Sequence, residues 1–156
     1  MVPEEKPDFP PLLAAGIHAH TLSELEAVAL APFGGPGLER RIELFSRLKY
    51  WIGQLATVGL SVDVWIDGSF MTHCPMPRDI DLLVVAPEND VNNLPHDVRP
   101  TLEQLTNNQF CKRAYNLDVY FALAHDLHQK AYWRGLFGFC RDEITPKGIA
   151  LIKITP

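Results

Sequence analysis

Three aspartates stand in apolar runs, where a charged side chain needs a partner. Asp79 and Asp81 lie two residues apart at the head of one run, and Asp118 lies inside another, Leu117–Leu123. Residues two apart in a strand share a face, so Asp79 and Asp81 are predicted to point the same way. Like charges held that close repel unless a cation or a proton lies between them. The pattern therefore predicts a metal site, which Asp118 joins if the two strands are neighbours.

Carboxylate oxygens favour hard cations, and such cations support phosphoryl transfer. A site made of Asp79, Asp81 and Asp118 suits Mg²⁺, with Mn²⁺ as the alternative ion. Two such ions stabilise the attacking and leaving oxygens of an in-line displacement at phosphorus. Gly68 lets the backbone approach a phosphate closely, and Ser69 adds a hydroxyl and an N–H donor. The ordered combination favours a metal and phosphate site, although each part alone also fits a plain turn, a solvated strand end or a hydrogen-bonded structural aspartate.

Two basic residues and a fourth acid flank this pattern. Arg78 and Lys147 are predicted to contact phosphate. The alternatives are that Arg78 offsets the repulsion between the carboxylates and that Lys147 belongs to a charged surface turn. Asp67 is predicted to fix the turn at Gly68, with a place near the metal as the alternative.

Four apolar runs with strand character must position these side chains. The predicted strands are Val62–Ile66, Asp79–Ala86, Leu117–Leu123 and Gly148–Ile154. The run Asp79–Ala86 is rich in Leu and Val, which is typical of a central strand. With helices between the strands, the pattern predicts an α/β (α+β) fold. We expect one domain over residues 16–156, a small mixed β-sheet flanked by helices, preceded by an extended proline-rich arm over residues 1–15.

The clearest helix is predicted over Leu38–Val58. Its apolar side chains recur at three- and four-residue steps and share one face, and Gly59 is placed to end it in a left-handed turn. Arg40 and Arg41 lie off that face and are predicted to be solvated, with an anion-binding patch as the alternative. Shorter helices are predicted from a cap at Thr21 to about Leu30, over Thr101–Asn108 and over Asp126–Gly138.

Size, charge and cysteine content restrict the class of protein. The 156 residues, 47% of them apolar, suffice to bury a core without disulfides. The formal net charge of −5 argues against broad nucleic-acid binding, which needs a basic face. Cys74, Cys111 and Cys140 are far apart and odd in number, so they are predicted to be reduced thiols of a cytoplasmic protein. No membrane association is expected, because no apolar run reaches the length of a span and the acidic start lacks signal-peptide features.

The ordered motifs resemble those of the polymerase-β-type nucleotidyltransferase superfamily. The residues that carry the resemblance are Gly68-Ser69, Asp79-Ile80-Asp81 and Leu117-Asp118-Val119. The resemblance implies the nucleotidyltransferase fold, with Asp79, Asp81 and Asp118 as catalytic residues and Mg²⁺ ligands. It also implies that Gly68 and Ser69 contact the β- and γ-phosphates of a nucleoside triphosphate (NTP), with Asp118 helping to activate the attacking hydroxyl. Arg78 and Lys147 are the further predicted nucleotide contacts.

The flanking segments are similar to a narrower group of small, largely uncharacterised bacterial and phage-borne nucleotidyltransferase-like proteins. The similar segments are Gly16-Ile17-His18, Ile66–Phe70, Arg141-Asp142 and Pro146–Ile149. The expected reaction is Mg²⁺-dependent transfer of a nucleoside monophosphate from an NTP to a hydroxyl or phosphate acceptor, with RNA, a partner protein or a small molecule left open. The alternative is a catalytically silent nucleotide- or protein-binding module of a toxin–antitoxin or phage-defence system. A metal-dependent phosphohydrolase would use the carboxylates but leave Gly68 and Ser69 without a role.

Overall fold

The apolar runs form one five-stranded mixed sheet in the computed structural model, which describes residues 6–156. The strands are β1 (Gly16–Ala19), β2 (Val62–Asp67), β3 (Ile80–Ala86), β4 (Leu117–Leu123) and β5 (Gly148–Ile154). Their order is β1-β5-β2-β3-β4. Strand β1 runs parallel to β5 and β3 parallel to β4, whereas β2 is antiparallel to both β3 and β5. The predicted small mixed sheet is confirmed, but β1 was not among the predicted strands, since this short edge strand is mostly exposed and lacks an apolar alternation.

Helices connect and flank the strands of the sheet. Within the described residues they are α1 (Leu22–Leu30), α2 (Gly35–Ala56), α3 (Glu88–Asn92), α4 (Arg99–Leu105), α5 (Asn108–Tyr115) and α6 (Leu127–Phe137). Helix α1 has the predicted cap, because the Thr21 side chain accepts a hydrogen bond from Glu24 N at 3.2 Å. Helix α2 begins at Gly35, earlier than predicted, since Pro36 is favourable in a first turn. None of these helices is both long and apolar enough to cross a membrane.

The single helix predicted over Thr101–Asn108 is wrong, because two helices share this part of the chain. Helix α4 starts before Thr101, where Pro100 favours a first helical turn. Asn107 then opens α5, since its side chain accepts a hydrogen bond from Phe110 N at 2.9 Å. This second helix lies beside β4 and bears directly on the predicted site.

The sheet separates a large core from a small one. The large core joins one sheet face to α1, α2, α4 and α5, and includes Leu25, Leu48, Trp51, Leu82, Leu102, Cys111 and Val119. The small cluster lies on the other face beneath α6, and consists of Trp65, Leu83, Val85, Ala122, Phe137 and Ile149. Because successive strand residues alternate between faces, Asp67, Asp81 and Asp118 lie on the face of the small cluster. The larger core thus supports the sheet from behind, and the acidic residues lie on the less covered side.

Arg41 of α2 is fully buried, so its predicted solvated position is wrong. Its guanidinium donates hydrogen bonds to four backbone carbonyl groups. The acceptors are Ala29 O at 3.1 Å, Phe70 O at 2.6 Å, Thr72 O at 2.7 Å and Cys74 O at 2.8 Å. The planar guanidinium has several donors in a fixed geometry, and loop carbonyls without a sheet partner need such donors. Arg41 therefore holds the connection between β2 and β3 in one conformation.

Arg40 holds the later part of the same connection. Its Nε donates to Pro77 O at 3.0 Å and its Nη2 donates to Arg78 O at 2.7 Å. Helix α2 also approaches this loop closely, because a Cβ at Gly37 would lie 2.7 Å from Pro75 O. The alternative of an anion-binding patch on this helix is therefore not supported at Arg40 or Arg41, whose guanidinium groups donate to backbone carbonyls.

The predicted N-terminal arm is partly described, since residues 1–5 lie outside the described residues. Residues 6–15 contain no helix and belong to none of the five strands, but they hydrogen-bond to the domain. Leu12 N donates to Met71 O at 2.9 Å, and Pro10 O accepts from His73 N at 2.8 Å. Leu13 O accepts from Gly148 N at 3.2 Å, at the start of β5. The segment lies against the β2–β3 connection and the start of β5, and its predicted role as an extended arm stays a prediction.

Candidate metal centre

Strand register places three carboxylates in one row across the sheet. Asp81 of β3 pairs with Asp67 of β2 on one side and with Asp118 of β4 on the other. Asp79 lies just before β3, two residues from Asp81. One carboxylate oxygen from each of Asp79, Asp81 and Asp118 lies within 4.8 Å of the others. The three predicted metal ligands are therefore brought together, in a cluster of the size a single cation could bridge.

The clustered acids are partly buried, and this changes their ionisation. The pKa of Asp81 is raised to about 7, first by burial and then by the charges of Asp79 and Asp118. The pKa of Asp79 is also raised, first by burial and then by the charge of Asp118, while Lys112 opposes the shift. Without a cation, protons thus compensate part of the negative charge at neutral pH. A divalent ion would instead favour the ionised carboxylates.

Asp118 is held by three side chains that the sequence interpretation missed. Asn108 Nδ2 donates a hydrogen bond to Asp118 Oδ1 and a second one, at 3.1 Å, to Val119 O. Tyr120 OH donates to Asp118 Oδ2 at 3.2 Å, and Lys112 Nζ lies 3.7 Å from the same oxygen. Asn108 and Lys112 have the i, i+4 spacing of one helix face, a signal that was lost because the helix was predicted to end at Asn108. Asp118 is therefore oriented before any ligand binds.

An aromatic contact from α6 fixes Tyr120 in turn. The ring centroids of Tyr120 and Trp133 lie 4.4 Å apart, and Trp133 also packs edge-on against Phe137 at 5.6 Å. Burial, followed by the charge of Asp118, raises the pKa of Tyr120 to about 12. Its hydroxyl is therefore a stable hydrogen-bond donor to Asp118 at neutral pH.

The predicted glycine–serine turn lies directly beside Asp81. Gly68 has φ +79°, in the region that favours glycine, and Ser69–Met71 forms a 3₁₀ turn after it. A Cβ at Gly68 would lie 2.8 Å from Asp81 Cγ, closer than real contacts allow. The geometry thus requires glycine because the Asp81 carboxylate packs on this backbone, whereas the predicted phosphate contact of Gly68 and Ser69 stays a prediction.

The two predicted basic contacts occupy different environments. The side chain of Arg78 is exposed, and its carbonyl accepts the hydrogen bond from Arg40. Lys147 is 9% exposed, so the alternative of a surface turn is wrong for this residue. Its Nζ lies 3.0 Å from Oδ1 of Asp67, which is completely buried. The pKa of Asp67 is raised to about 7 by burial, which the charge of Lys147 opposes.

A cavity on the same sheet face is a feature separate from the carboxylates. Its volume is about 670 Å³, and it lies between the sheet and α6. Its lining includes Trp65, Val85, Leu127, Arg134 and Leu151, and none of the clustered aspartates. The carboxylates therefore lie at the start of β3, whereas the cavity lies near the end of this strand.

Comparison with known proteins gives a family match over residues 7–153. The chain belongs to DUF6932. This family is described as a family of unknown function. Membership in DUF6932 therefore indicates no particular activity and does not link the chain to the polymerase-β-type superfamily. No curated protein and no solved structure matches the chain. Function must therefore be inferred from the geometry of the carboxylates and of the turn beside them.

Proposed function

We propose that this DUF6932 protein is a Mg²⁺-dependent nucleotidyltransferase that transfers a nucleoside monophosphate from an NTP to a hydroxyl or phosphate acceptor. The observation that supports the proposal is the convergence of Asp79, Asp81 and Asp118 beside the turn at Gly68 and Ser69. A carboxylate cluster alone fits several classes of metal site. The adjacent glycine turn adds a place where backbone N–H groups and a triphosphate can approach each other.

The donor set fits a hard divalent cation. Asp79, Asp81 and Asp118 would hold Mg²⁺, or Mn²⁺ in its place, through carboxylate oxygens. When bound, such a cation neutralises phosphate charge and polarises the phosphorus centre. The raised pKa of Asp81 supports this fit, since the site holds more carboxylates than nearby lysine side chains to balance their charge.

Asp118 is the carboxylate best placed to act on the acceptor. Each carboxylate oxygen can accept more than one hydrogen bond, so the contacts to Asn108 and Tyr120 leave capacity for an acceptor hydroxyl. These contacts hold the carboxylate in one orientation, and correct orientation is a large part of general-base catalysis. Asp118 would accept the proton of the attacking hydroxyl, whose oxygen would bond to the α-phosphorus of the NTP as pyrophosphate leaves.

The turn and one arginine would bind the phosphates. Gly68 keeps the backbone close to Asp81, so a triphosphate held at the carboxylates would lie against Gly68 and Ser69. The exposed guanidinium of Arg78, next to Asp79, is free to pair with a phosphate oxygen. For Lys147 to contact a phosphate as well, its ammonium group would have to pair with Asp67 and with a phosphate oxygen at the same time.

Calorimetric titration of each NTP in Mg²⁺ tests the binding half of this proposal. We expect saturable binding to the wild-type protein and at least a tenfold loss in Asp79→Asn/Asp81→Asn, because a hard-cation site loses two charged ligands. The matched control is Asp97→Asn, which neutralises one exposed carboxylate away from the cluster and should bind like the wild type. Equal binding by the double variant, or no binding by the wild type, would contradict the proposal.

Label transfer tests the catalytic half. Wild-type protein and Asp118→Asn are incubated with α-labelled NTPs and with RNA, protein and small-molecule acceptors. We expect a labelled adduct that requires Asp118. A stable stoichiometric complex without transfer would favour a silent binding module, and free phosphate without any adduct would favour a phosphohydrolase.

We also propose a cytoplasmic location. The three cysteines, Cys74, Cys111 and Cys140, are all free thiols, and two of them are buried. A reducing compartment keeps such thiols unpaired. Fractionation of the native source with an antibody to the protein tests this, and recovery from an oxidising compartment would contradict it.

A further inference from the structure

Asp67 is a buried carboxylate with an unusual shortage of partners. It is 0% exposed, and neither side-chain oxygen has a hydrogen-bond donor with good alignment among the described residues. The ammonium group of Lys147 lies 3.0 Å from Oδ1, within ion-pair distance. A buried carboxylate whose close charged partner is a single ammonium group is costly to desolvate, so this pair is weak evidence for stability and invites a functional explanation.

The backbone of Lys147 is fixed on both sides. Lys147 N donates to Gly138 O at 2.8 Å, at the end of α6. The next residue, Gly148, packs so tightly that a Cβ there would lie 3.0 Å from the carbonyl carbon of Leu13. The start of β5 is thus held between α6 and the N-terminal segment. The side chain of Lys147 therefore leaves a rigid backbone and reaches Asp67 at the end of β2.

The pair lies at the carboxylate row. Asp67 is directly opposite Asp81 in the β2–β3 register, and cross-strand neighbours have Cβ atoms about 5 Å apart. Lys147 is also near enough for its charge to act on Asp81. An ammonium group has three donors, and the contact with Asp67 uses one of them. The side chain is 10% exposed, so part of it is accessible from outside.

We propose that Asp67 is a positioning residue, which holds the ammonium group of Lys147 beside Asp81 so that it binds a phosphate oxygen of the NTP. This inference depends on the proposed nucleotidyltransferase function and assigns one further element of its substrate site. Asp67 acts only through Lys147. It is not a fourth metal ligand, because it lies outside the set of aspartates whose oxygens converge within 4.8 Å.

The two roles of Asp67 predict different binding behaviour. A positioning residue affects affinity for the nucleotide far more than affinity for the metal alone, on which it acts only as a nearby charge. A fourth metal ligand affects affinity for the metal alone. Mn²⁺ without nucleotide, followed by paramagnetic resonance or calorimetry, is therefore one probe. A non-hydrolysable NTP analogue with a methylene group between the α- and β-phosphorus atoms, added with Mg²⁺, is the other.

Four variants are needed: Lys147→Met, Asp67→Asn, the double variant with both changes, and Lys153→Met. The last is the matched control, because Lys153 is an exposed lysine of β5, the strand that begins one residue after Lys147. Each single change leaves one buried charge without its partner and lowers stability, whereas the double variant removes both charges. The double variant therefore keeps the test valid if a single variant fails to fold, which thermal unfolding reveals.

We expect Lys147→Met and Asp67→Asn each to weaken binding of the NTP analogue by about tenfold or more, as for a lost charged hydrogen bond. The double variant should be no weaker than Lys147→Met, since both changes remove one interaction. Mn²⁺ affinity should change by no more than about fivefold in any variant, because the removed charges lie near Asp81 without being ligands of the metal. A loss of Mn²⁺ affinity of about tenfold or more in Asp67→Asn would overturn the inference, and so would wild-type analogue binding by the double variant. Failure of the wild-type protein itself to bind Mn²⁺ and the analogue would contradict the proposed function instead.

Discussion

At the scale of single residues, the acidic cluster depends on how closely Asp81 is packed. Its carboxylate lies against the backbone of Gly68 and converges with Asp79 and Asp118. The charge of each neighbour makes ionisation of Asp81 less favourable, and burial adds to the effect. A cation that relieves this repulsion has a preformed set of ligands, so little reorganisation is needed when it binds.

Substitution of Gly68 by alanine tests this packing. The added Cβ would lie 2.8 Å from Asp81 Cγ, and φ +79° with ψ −166° is a conformation almost restricted to glycine. We expect the free energy of unfolding to fall by about 2–4 kcal/mol and Mn²⁺ binding to weaken at least tenfold, because Asp81 must move. Urea denaturation and Mn²⁺ titration measure the two effects.

The matched control for this change is Gly53→Ala. Gly53 lies within α2, and no atom would lie within 4 Å of its added Cβ. Alanine there should leave Mn²⁺ binding unchanged and stabilise the helix by about 0.5–1 kcal/mol. Mn²⁺ affinity in Gly68→Ala equal to that of Gly53→Ala would show that the close packing of Asp81 is unimportant for the metal site.

At the scale of elements, α2 holds the connection between β2 and β3 through two adjacent arginines. Arg41 donates hydrogen bonds to carbonyl groups in the earlier part of this connection. Arg40 donates to the carbonyl groups of Pro77 and Arg78, just before Asp79. The ring of Phe33 lies 3.6 Å from the guanidinium carbon of Arg41 and covers it from solvent. The helix thereby fixes the position of the paired aspartates relative to the glycine turn.

Replacement of Arg41 by methionine tests the structural role of this contact. Methionine fills a similar volume but leaves the carbonyl groups of Phe70, Thr72 and Cys74 without their donor. We expect a loss of about 3 kcal/mol or more in the free energy of unfolding, measured by urea denaturation. Arg113→Met, at an exposed position of α5, should change it by less than about 0.5 kcal/mol. A similar small change in Arg41→Met would mean that the loop does not need these hydrogen bonds.

The elements also show which parts of the site a sequence can predict. The common direction of Asp79 and Asp81 follows from the two-residue repeat of a strand, and their approach to Asp118 requires only that β3 and β4 be neighbours. The burial of Arg41 does not follow from helix periodicity, which marks apolar faces and gives no position for the carbonyl groups of a distant loop. Asn108 was missed because it begins α5, a helix that the sequence pattern did not separate from α4.

At the scale of the whole molecule, the mixed topology brings distant parts of the chain to one row. Strand β5, the last in sequence, pairs with β2 and so carries Lys147 to Asp67. Nothing local in either segment predicts this pairing, because strand order depends on the packing of all the elements together. Four carboxylates and two lysines meet there, with Lys112 beside Asp118. The two lysines match two of the four negative charges, and one divalent cation would match the others.

This charge balance predicts opposite effects of pH on the metal-free and the metal-bound protein. Asp67 and Asp81 have pKa values raised to about 7 from an ordinary value of 3.8, so the folded state binds protons more tightly than the unfolded state. Their stabilising contribution is complete below the ordinary value and is lost as the pH rises through about 7. Without metal, we expect the free energy of unfolding to fall by on the order of 2–4 kcal/mol between about pH 5 and pH 8.

Saturating Mg²⁺ should reverse that loss, because a ligand of the folded state stabilises it by mass action and the ionised carboxylates bind it best. Urea denaturation at about pH 5.5 and pH 8, with and without Mg²⁺, measures this, and we expect the larger Mg²⁺ effect at pH 8. Asp79→Asn/Asp81→Asn should lose most of the Mg²⁺ effect while it stays folded. An equal Mg²⁺ effect at both pH values would contradict the prediction, since it would mean that protons and the cation do not compete for the same carboxylates.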